Sequence, residues 1–314
     1  MEQRIINMES VQDYNENLGV ETLHPLVSVV DMSELPEIRH SLKRFGFYCI
    51  FLKQLECGTI LYGRSRYDYR EGTLVCVAPG QVAGVDDGGV TKNAKGWILM
   101  FHPDLLRGTS LAGKMRDYSF FSYSSNEALH TSERERQSII GCMREIREEL
   151  QHPIDRHSKR IIATNIELLL NHCIRFYDRQ FVTREEINHD VLRRFEELLG
   201  TYFDSSDIVK TGLPTVAWFA DKLHLSANYF GDLVKREMGI SAQEYIQRYI
   251  IERAKLLLTD GRMTVSQAAY ALGYKYPNHL SRVFKRVTGI TPNEYKSQIS
   301  RRENQDHTKD KKNW

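Results

Sequence analysis

Near its C-terminus this chain carries one run of residues written twice. NYFGDLVKREMGISAQEY, starting at Asn228, and NHLSRVFKRVTGITPNEY, starting at Asn278, align without gaps. Asn228, Lys235, Arg236, Gly239, Ile240, Glu244 and Tyr245 return as Asn278, Lys285, Arg286, Gly289, Ile290, Glu294 and Tyr295. Just upstream, Thr215, Val216, Ala220 and Leu223 return as Thr264, Val265, Ala269 and Leu272. A period of about 50 residues marks a duplicated fold unit, so whatever one copy builds, this third of the chain must build twice.

Each copy has the pattern of two helices. Phe230, Leu233 and Val234 fall at helical spacing in the first, and Leu280, Val283, Phe284 and Val287 in the second, which leaves one apolar stripe per helix to bury. The opposite face is polar, with Asn228, Gly231, Asp232, Lys235 and Arg236 in one copy and Asn278, Ser281, Arg282, Lys285 and Arg286 in the other. Shorter amphipathic stretches precede them, Val216 to Leu223 and Val265 to Leu272, with small Ala220 and Ala269 where helices must approach closely. The link is short, and in the second copy it opens with Gly273, as a turn after a helix C-terminus prefers. The spacing predicts two helix-turn-helix units, near residues 215–238 and 264–288. Ser241 to Glu244 and Thr291 to Glu294 each read as a capping box opening the next helix, with Pro292 suited to the first helical position. The helix from about Ala242 to Leu258 is the only link between copies. At ~1.5 Å per residue it sets two recognition helices near one DNA turn, ~34 Å, apart.

On such helices the residues at the start of the exposed face reach base edges, and those further along meet phosphate. The second helix therefore nominates Asn278, Ser281 and Arg282, with Tyr276 and Pro277 at its mouth, and the first nominates Asn228, Gly231 and Asp232. Arg282 can offer two donors to guanine O6 and N7, and Asn278 can pair with adenine. The bland alternative for Arg282 is a phosphate contact or an internal salt bridge. Lys235, Arg236, Lys285 and Arg286 are expected at phosphates.

The run Ala269 to Tyr295, with Gly273, Tyr274, Leu280, Ser281, Arg282, Phe284, Lys285, Gly289, Pro292 and Glu294 in place, resembles the DNA-binding domain of AraC/XylS-type transcription regulators. The first unit departs from that pattern at Val234, where a Phe is commoner, and at Gly231 and Asp232. The resemblance covers about the last third of the chain. It implies double-stranded DNA as partner, an N-terminal cupin-like β-barrel that binds a small effector, a homodimer, and contact with RNA polymerase.

Composition fits that division. The formal net charge is +2, but residues 208–300 hold 13 Lys and Arg against 7 Asp and Glu, so the remainder sums to −4 and a polyanion meets one end only. Five cysteines, Cys49, Cys57, Cys76, Cys142 and Cys173, are widely spaced and form no CxxC pair, indicating neither a disulfide framework nor a zinc site. No signal peptide or membrane-length apolar run is present, and the reading is a cytoplasmic protein.

Residues 1–23 are polar and read as a flexible N-terminus. Short runs rich in Val, Ile, Phe and Tyr then follow, among them LVSVVDM, GFYCIFLKQ, GTLVCVAPGQV and WILMFHP, which predict a barrel over 24–110. A barrel of this size encloses one small ligand, and Tyr48, Tyr62, Tyr67, Tyr69, Trp97 and His102 are the candidate pocket residues, each more commonly an ordinary core or rim residue. His40 and His102 are the only histidines between Pro25 and Pro103 and neither has a partner at ligand spacing, which argues against a metal-dependent enzyme; no cofactor is implied. Two apolar helical stripes, Ile139 to Leu150 and Ile161 to Phe176, predict a helical dimerisation region over 111–180, the alternative being an internal hairpin without a partner. A linker over 181–189 and a DNA-binding domain over 190–300 complete the order, with a disordered polar tail over 301–314. The fold class is α+β multidomain: a cupin-like barrel with a helical pair, then an all-α domain. The function read here is a sequence-specific, effector-responsive transcription regulator, with an architectural DNA-binding protein whose barrel is only a dimerisation scaffold as the alternative.

Overall fold

The computed structural model describes residues 5–39, 41–53, 59–62, 65–68, 72–84, 91–92, 95–124, 127–205, 208–259 and 263–299. The chain divides into two compact units, residues 1–185 and 186–314.

The first unit contains β1 (Ile5–Met8), α1 (Val11–Leu18), β2 (Val27–Asp31), β3 (Ile38–Arg39), β4 (Leu42–Phe45), β5 (Tyr48–Lys53), β6 (Thr59–Tyr62), β7 (Ser65–Asp68), β8 (Thr73–Val77), β9 (Val82–Gly84), β10 (Thr91–Lys92), β11 (Gly96–Phe101), short helices α2 (Pro103–Leu106) and α3 (Leu111–Lys114), β12 (Leu129–His130), and long helices α4 (Glu133–Gln151) and α5 (Ser158–Thr183). Two five-stranded sheets form, in the orders β1-β4-β9-β6-β7 and β12-β8-β5-β11-β2, and β3 pairs with β10.

Register assigns the faces. Side chains alternate along a strand, and Cys49, Val75, Val77, Ile98 and Met100 of the second sheet share one buried cluster with Met8, Phe45 and Ala83 of the first. The two sheets thus enclose a common core. The alternate residues of the second sheet, among them Ile50, Leu52, Trp97, Leu99 and Phe101, point the other way and are buried as well. The helical pair covers that outer face: buried Ile139, Ile140, Met143, Ile146 and Leu150 line α4, and Ile162, Ile166, Leu169, Leu170 and Cys173 line α5. Buried Gln180 fastens α5 to β12, accepting from the His130 amide at 2.7 Å and donating to the Ala128 carbonyl at 3.1 Å. Cys49, Cys76, Cys142 and Cys173 are free and buried; Cys57 lies outside the described residues.

Two expectations change. The N-terminal stretch is not loose: β1 pairs in parallel with β4, Ser10 and Asp13 form a reciprocal capping box on α1, and Val11, Tyr14 and Leu18 enter the common core. The polar stretch 181–189 is not an open linker, because residues 181–183 end α5 and residues 185–189 begin the next helix, with Arg184 alone as a turn. Phe181 and Asn188 are buried there, while Val182 and Ile187 are exposed. The tail over 301–314 lies outside the described residues.

The second unit is helical: α6 (Glu185–Asp204), α7 (Ile208–Thr211), α8 (Val216–Lys222), α9 (Ala227–Met238), α10 (Ala242–Thr259), α11 (Val265–Ala271) and α12 (Pro277–Thr288), closed by a helix over 292–299. Phe195 of α6 meets Phe219 of α8 and Phe230 of α9 edge to face, each at 5.0 Å. Ile246, Ile250, Ile251, Ala254 and Leu258 give α10 its buried face.

Candidate nucleic-acid interface

The repeat written in the sequence is a repeat in space. Thr215 and Thr264 cap α8 and α11, accepting from the amides of Trp218 at 3.1 Å and Gln267 at 3.2 Å. Ala220 and Ala269 are 1% and 0% exposed, as close helix approach requires. The turns match bond for bond: the Leu225 amide donates to Ala220 O at 2.9 Å and the Tyr274 amide to Ala269 O at 3.0 Å. Both turns pass through a left-handed residue, Gly273 (φ 82°) in the second copy and His224 (φ 59°) in the first. Gly239 and Gly289 end α9 and α12 in the same conformation.

The boxes that open the following helices differ. The Glu294 carboxylate accepts from the Thr291 amide at 2.7 Å and hydroxyl at 2.9 Å, bonds that hold its carboxyl below the usual range, and its own amide donates to Thr291 Oγ1 at 3.2 Å. Glu244 donates its amide to Ser241 Oγ at 3.2 Å, but its carboxylate accepts from Arg248 at 2.8 Å, so the first box is half formed.

Packing sorts the two recognition helices into faces. Tyr229, Phe230, Leu233 and Val234 are buried on α9, and Leu280 and Phe284 on α12. Val283 and Val287, read as part of the apolar stripe, are half-buried. Asn228, Lys235 and Arg236 are exposed on α9, and Asn278, Arg282, Lys285 and Arg286 on α12. Gly231, Asp232, Pro277 and Ser281 are half-buried beside them, and Tyr276 is 64% exposed. Ser281 Oγ donates to Pro277 O at 3.3 Å, keeping its lone pairs as acceptors. Arg286 is tied to Gln247 of α10 at 2.6 Å, whereas Arg282 makes no hydrogen bond or ion pair with any described residue. A free guanidinium on an exposed helix face keeps its full fork of donors for an outside acceptor.

Sequence reasoning passed over two features. His279 is exposed next to Asn278, its ring 5.6 Å from that of Tyr276. The two helices also start differently: Ser226 caps α9 by accepting from the Tyr229 amide at 3.2 Å, while α12 has no side-chain cap. An uncapped N-terminus favours an anion, and Pro277 at its first turn was the readable signal.

Of the candidate pocket residues of the first unit, the side chains of Tyr48, Trp97 and His102 are described. Tyr48 stacks on Phe101 at 5.0 Å and Trp97 lies beneath the guanidinium groups of Arg144 and Arg147 at 5.7 and 5.9 Å, both on the helix-covered face rather than between the sheets. His102 caps α2, its Nδ1 accepting from the Asp104 amide at 3.2 Å. Tyr62 and Tyr67 fall on β6 and β7, with side chains outside the described residues, as is all of Tyr69.

Comparison with known proteins agrees with the second unit. Residues 219–298 match the family model described as a helix-turn-helix domain. Over 84 residues the chain is 39% identical to the uncharacterized HTH-type transcriptional regulator YtdP of Bacillus subtilis (strain 168), covering 27% of this chain and 11% of that protein. Over 111 residues it is 27% identical to the HTH-type transcriptional activator RhaR of Yersinia pseudotuberculosis serotype O:1b (strain IP 31758), covering 35% of this chain and 34% of that one. The solved C-terminal domain of AraT, a response regulator from Geobacillus stearothermophilus, is similar at 27% identity over 34% of this chain and 84% of that one, with a TM-score of 0.31. The chain thus spans about a third or less of the length of these curated relatives. The repeated helix pairs, the family model and the sequence relatives together place residues 219–298 in an AraC-family helix-turn-helix domain.

Proposed function

We propose that this chain is a sequence-specific DNA-binding transcription regulator, acting in the cytoplasm on double-stranded DNA and responsive to a small molecule held by a cupin-like first unit. One observation carries the reading: two equivalent helices present Asn228 and Lys235, and Asn278, Arg282 and Lys285, on exposed faces opposite a buried stripe. Asn228, Gly231, Asp232, Tyr276, Pro277, Asn278, Ser281 and Arg282 read bases or their immediate surroundings; Lys235, Arg236, Lys285 and Arg286 meet phosphates. Spacing of the two helices by α10 lets both enter successive major grooves of one duplex.

The regulator works as a homodimer through α5, and contact with RNA polymerase turns binding into a transcriptional output. Support for the dimer is the solvent side of α5, where Ile161, Leu168 and Ile174 are 42%, 47% and 36% exposed although the helix already buries a full apolar face. Genome-wide mapping of bound sites, repeated with and without candidate metabolites, tests the whole reading. Discrete sites whose occupancy changes with a metabolite are expected. Binding that is insensitive to both sequence and salt overturns the regulator, and occupancy indifferent to every metabolite overturns its effector.

A further inference from the structure

Outside residues 208–300 the chain sums to −4, yet four cations gather on one surface of the first unit. Arg107, on the turn that leaves α2, and Arg156, Lys159 and Arg160, at the start of α5, line a cleft of about 450 Å³. Among the described residues no Asp or Glu lines it. No strand contributes to the lining either, so the cleft is separate from the core that the two sheets enclose. Its volume lies within the range of about 300–1,000 Å³ that small ligands occupy.

Each acid around the cleft is already committed. Asp104 pairs with Arg107 at 2.9 Å, and Glu167 accepts from Lys114 Nζ at 2.5 Å and Ser110 Oγ at 3.0 Å. Asp155 accepts the His157 and Ser158 amides at 2.7 and 3.0 Å, and so caps α5 itself. None of these carboxylates answers the cations of α5. The Arg160 side chain makes no hydrogen bond or ion pair among the described residues, and that of Arg156 donates only to His157 Nε2, at 3.0 Å. Lys159 Nζ donates to the Arg107 carbonyl at 2.7 Å, which fixes the turn against α5 and brings the two walls together. Gly108, also in the lining, has an amide that makes no hydrogen bond among the described residues. Charges of one sign crowded on a wall repel, a cost that an anion from outside removes.

We propose that this cleft binds a small compound carrying a chain of two or three phosphoryl groups, held by the guanidinium forks of Arg156 and Arg160 with Lys159 and Arg107 beside them. Planar forks meet phosphoryl oxygens two at a time, and four cations balance a chain of phosphates better than a single one. Two walls converging on one cavity suit a compact ligand, whereas a duplex meets cations spread along a surface. The site does not depend on the effector reading above, which concerns a ligand held by the sheets.

The test uses the full chain with sodium tripolyphosphate, adenosine triphosphate and, at matched ionic strength, sodium sulfate, read by calorimetry and thermal shift. Tripolyphosphate is expected to bind and to raise the melting temperature where sulfate does not. Tighter binding of adenosine triphosphate assigns the source to a nucleotide, and equal or weaker binding to the phosphate chain alone. Arg156→Gln with Arg160→Gln should weaken the preferred compound by about tenfold or more, since charge-assisted hydrogen bonds are lost. Binding no tighter than sulfate, or undiminished in that double variant, overturns the site. Affinity lost in Lys285→Ala but kept in the double variant places the compound on the DNA-reading helices and overturns it too. A double variant that loses random duplex DNA while keeping polyphosphate makes the cleft a DNA-backbone contact, again against the proposal. Should the double variant fail to fold, the wild-type chain still decides: bound polyphosphate must protect Arg156 and Arg160 from phenylglyoxal, and unprotected arginines overturn the site.

Discussion

Arg286 reaches from α12 to α10, where its guanidinium donates to Oε1 of Gln247 at 2.6 Å. That cation, expected at a phosphate, is thereby engaged with the helix that joins the two repeats, whereas Lys285, next to it, lies near the Glu294 carboxylate and its side chain makes no hydrogen bond or ion pair among the described residues. A bond between exposed groups is worth about 1 kcal/mol or less. Lys285→Ala should flatten the dependence of log Kobs on log salt by about one unit, and Arg286→Ala by clearly less. Anisotropy titrations across a salt series measure both; equal slopes would show that the tie to Gln247 gives way on binding.

The Arg282 side chain has no hydrogen-bond or ion-pair partner among the described residues, so its removal strands no buried group there. Arg282→Ala should cost about 1–3 kcal/mol on the preferred site and relax preference at one base position. Equal losses on specific and random duplexes refute base reading.

His224 and Gly273 occupy equivalent turns at φ 59° and 82°. A left-handed non-glycine residue is strained by about 1 kcal/mol, so His224→Gly should leave stability unchanged or raise it by up to that amount despite the added unfolded-state entropy. Gly273→Ala should be destabilising by more, because a Cβ there meets Gly212 C and Ile208 Cγ1 at 3.0 Å. Urea unfolding of both variants measures the contrast, and a neutral Gly273→Ala would contradict it.

The lowered amine of Lys43, at about 8 against 10.5 for the free side chain, makes stability depend on pH with a definite sign. Below pH 8 both states hold the proton and the slope is zero. Between 8 and 10.5 the unfolded chain holds more protons than the folded one, so this group adds stability as pH rises, by on the order of 3 kcal/mol across the window. Tyr14 and the buried cysteines titrate only in the unfolded state there and act oppositely, so the measurement is the difference between wild type and Lys43→Met. A difference that does not change with pH would mean the amine is solvated.

Charging the solvent side of α5 tests the dimer. Ile161→Asp with Leu168→Asp alters exposed positions, with about 0.5 kcal/mol or less of effect on the fold expected. Light scattering should report monomers; a double variant that stays dimeric removes α5 from the interface.

The helix-turn-helix units were legible because their signals are local and written twice: the threonine caps, the small Ala220 and Ala269, and the glycines that end α9 and α12 each depend on neighbours in sequence. The first unit was harder to read. In Gly96–Phe101 every residue is buried, so the run has no alternation to reveal which side faces the core. Tyr48 and Trp97 were consequently nominated for a pocket although register turns them toward the helices. The first strand and helix escaped notice among polar residues, yet Val11, Tyr14 and Leu18 already stood at helical spacing behind a Ser10–Asp13 box. Lys43 was passed over because a lysine in a strand ordinarily marks the solvent side.

That double burial of β11 also leaves the strand without slack. Consecutive residues answer to different neighbours, Ile98 and Met100 to the opposing sheet, Leu99 and Phe101 to the helical layer. Deleting a single residue ahead of Ile98 would exchange the two sets and misfit both layers at once. By the same geometry, any displacement of the inner residues is handed to the helices across the thickness of one polypeptide backbone.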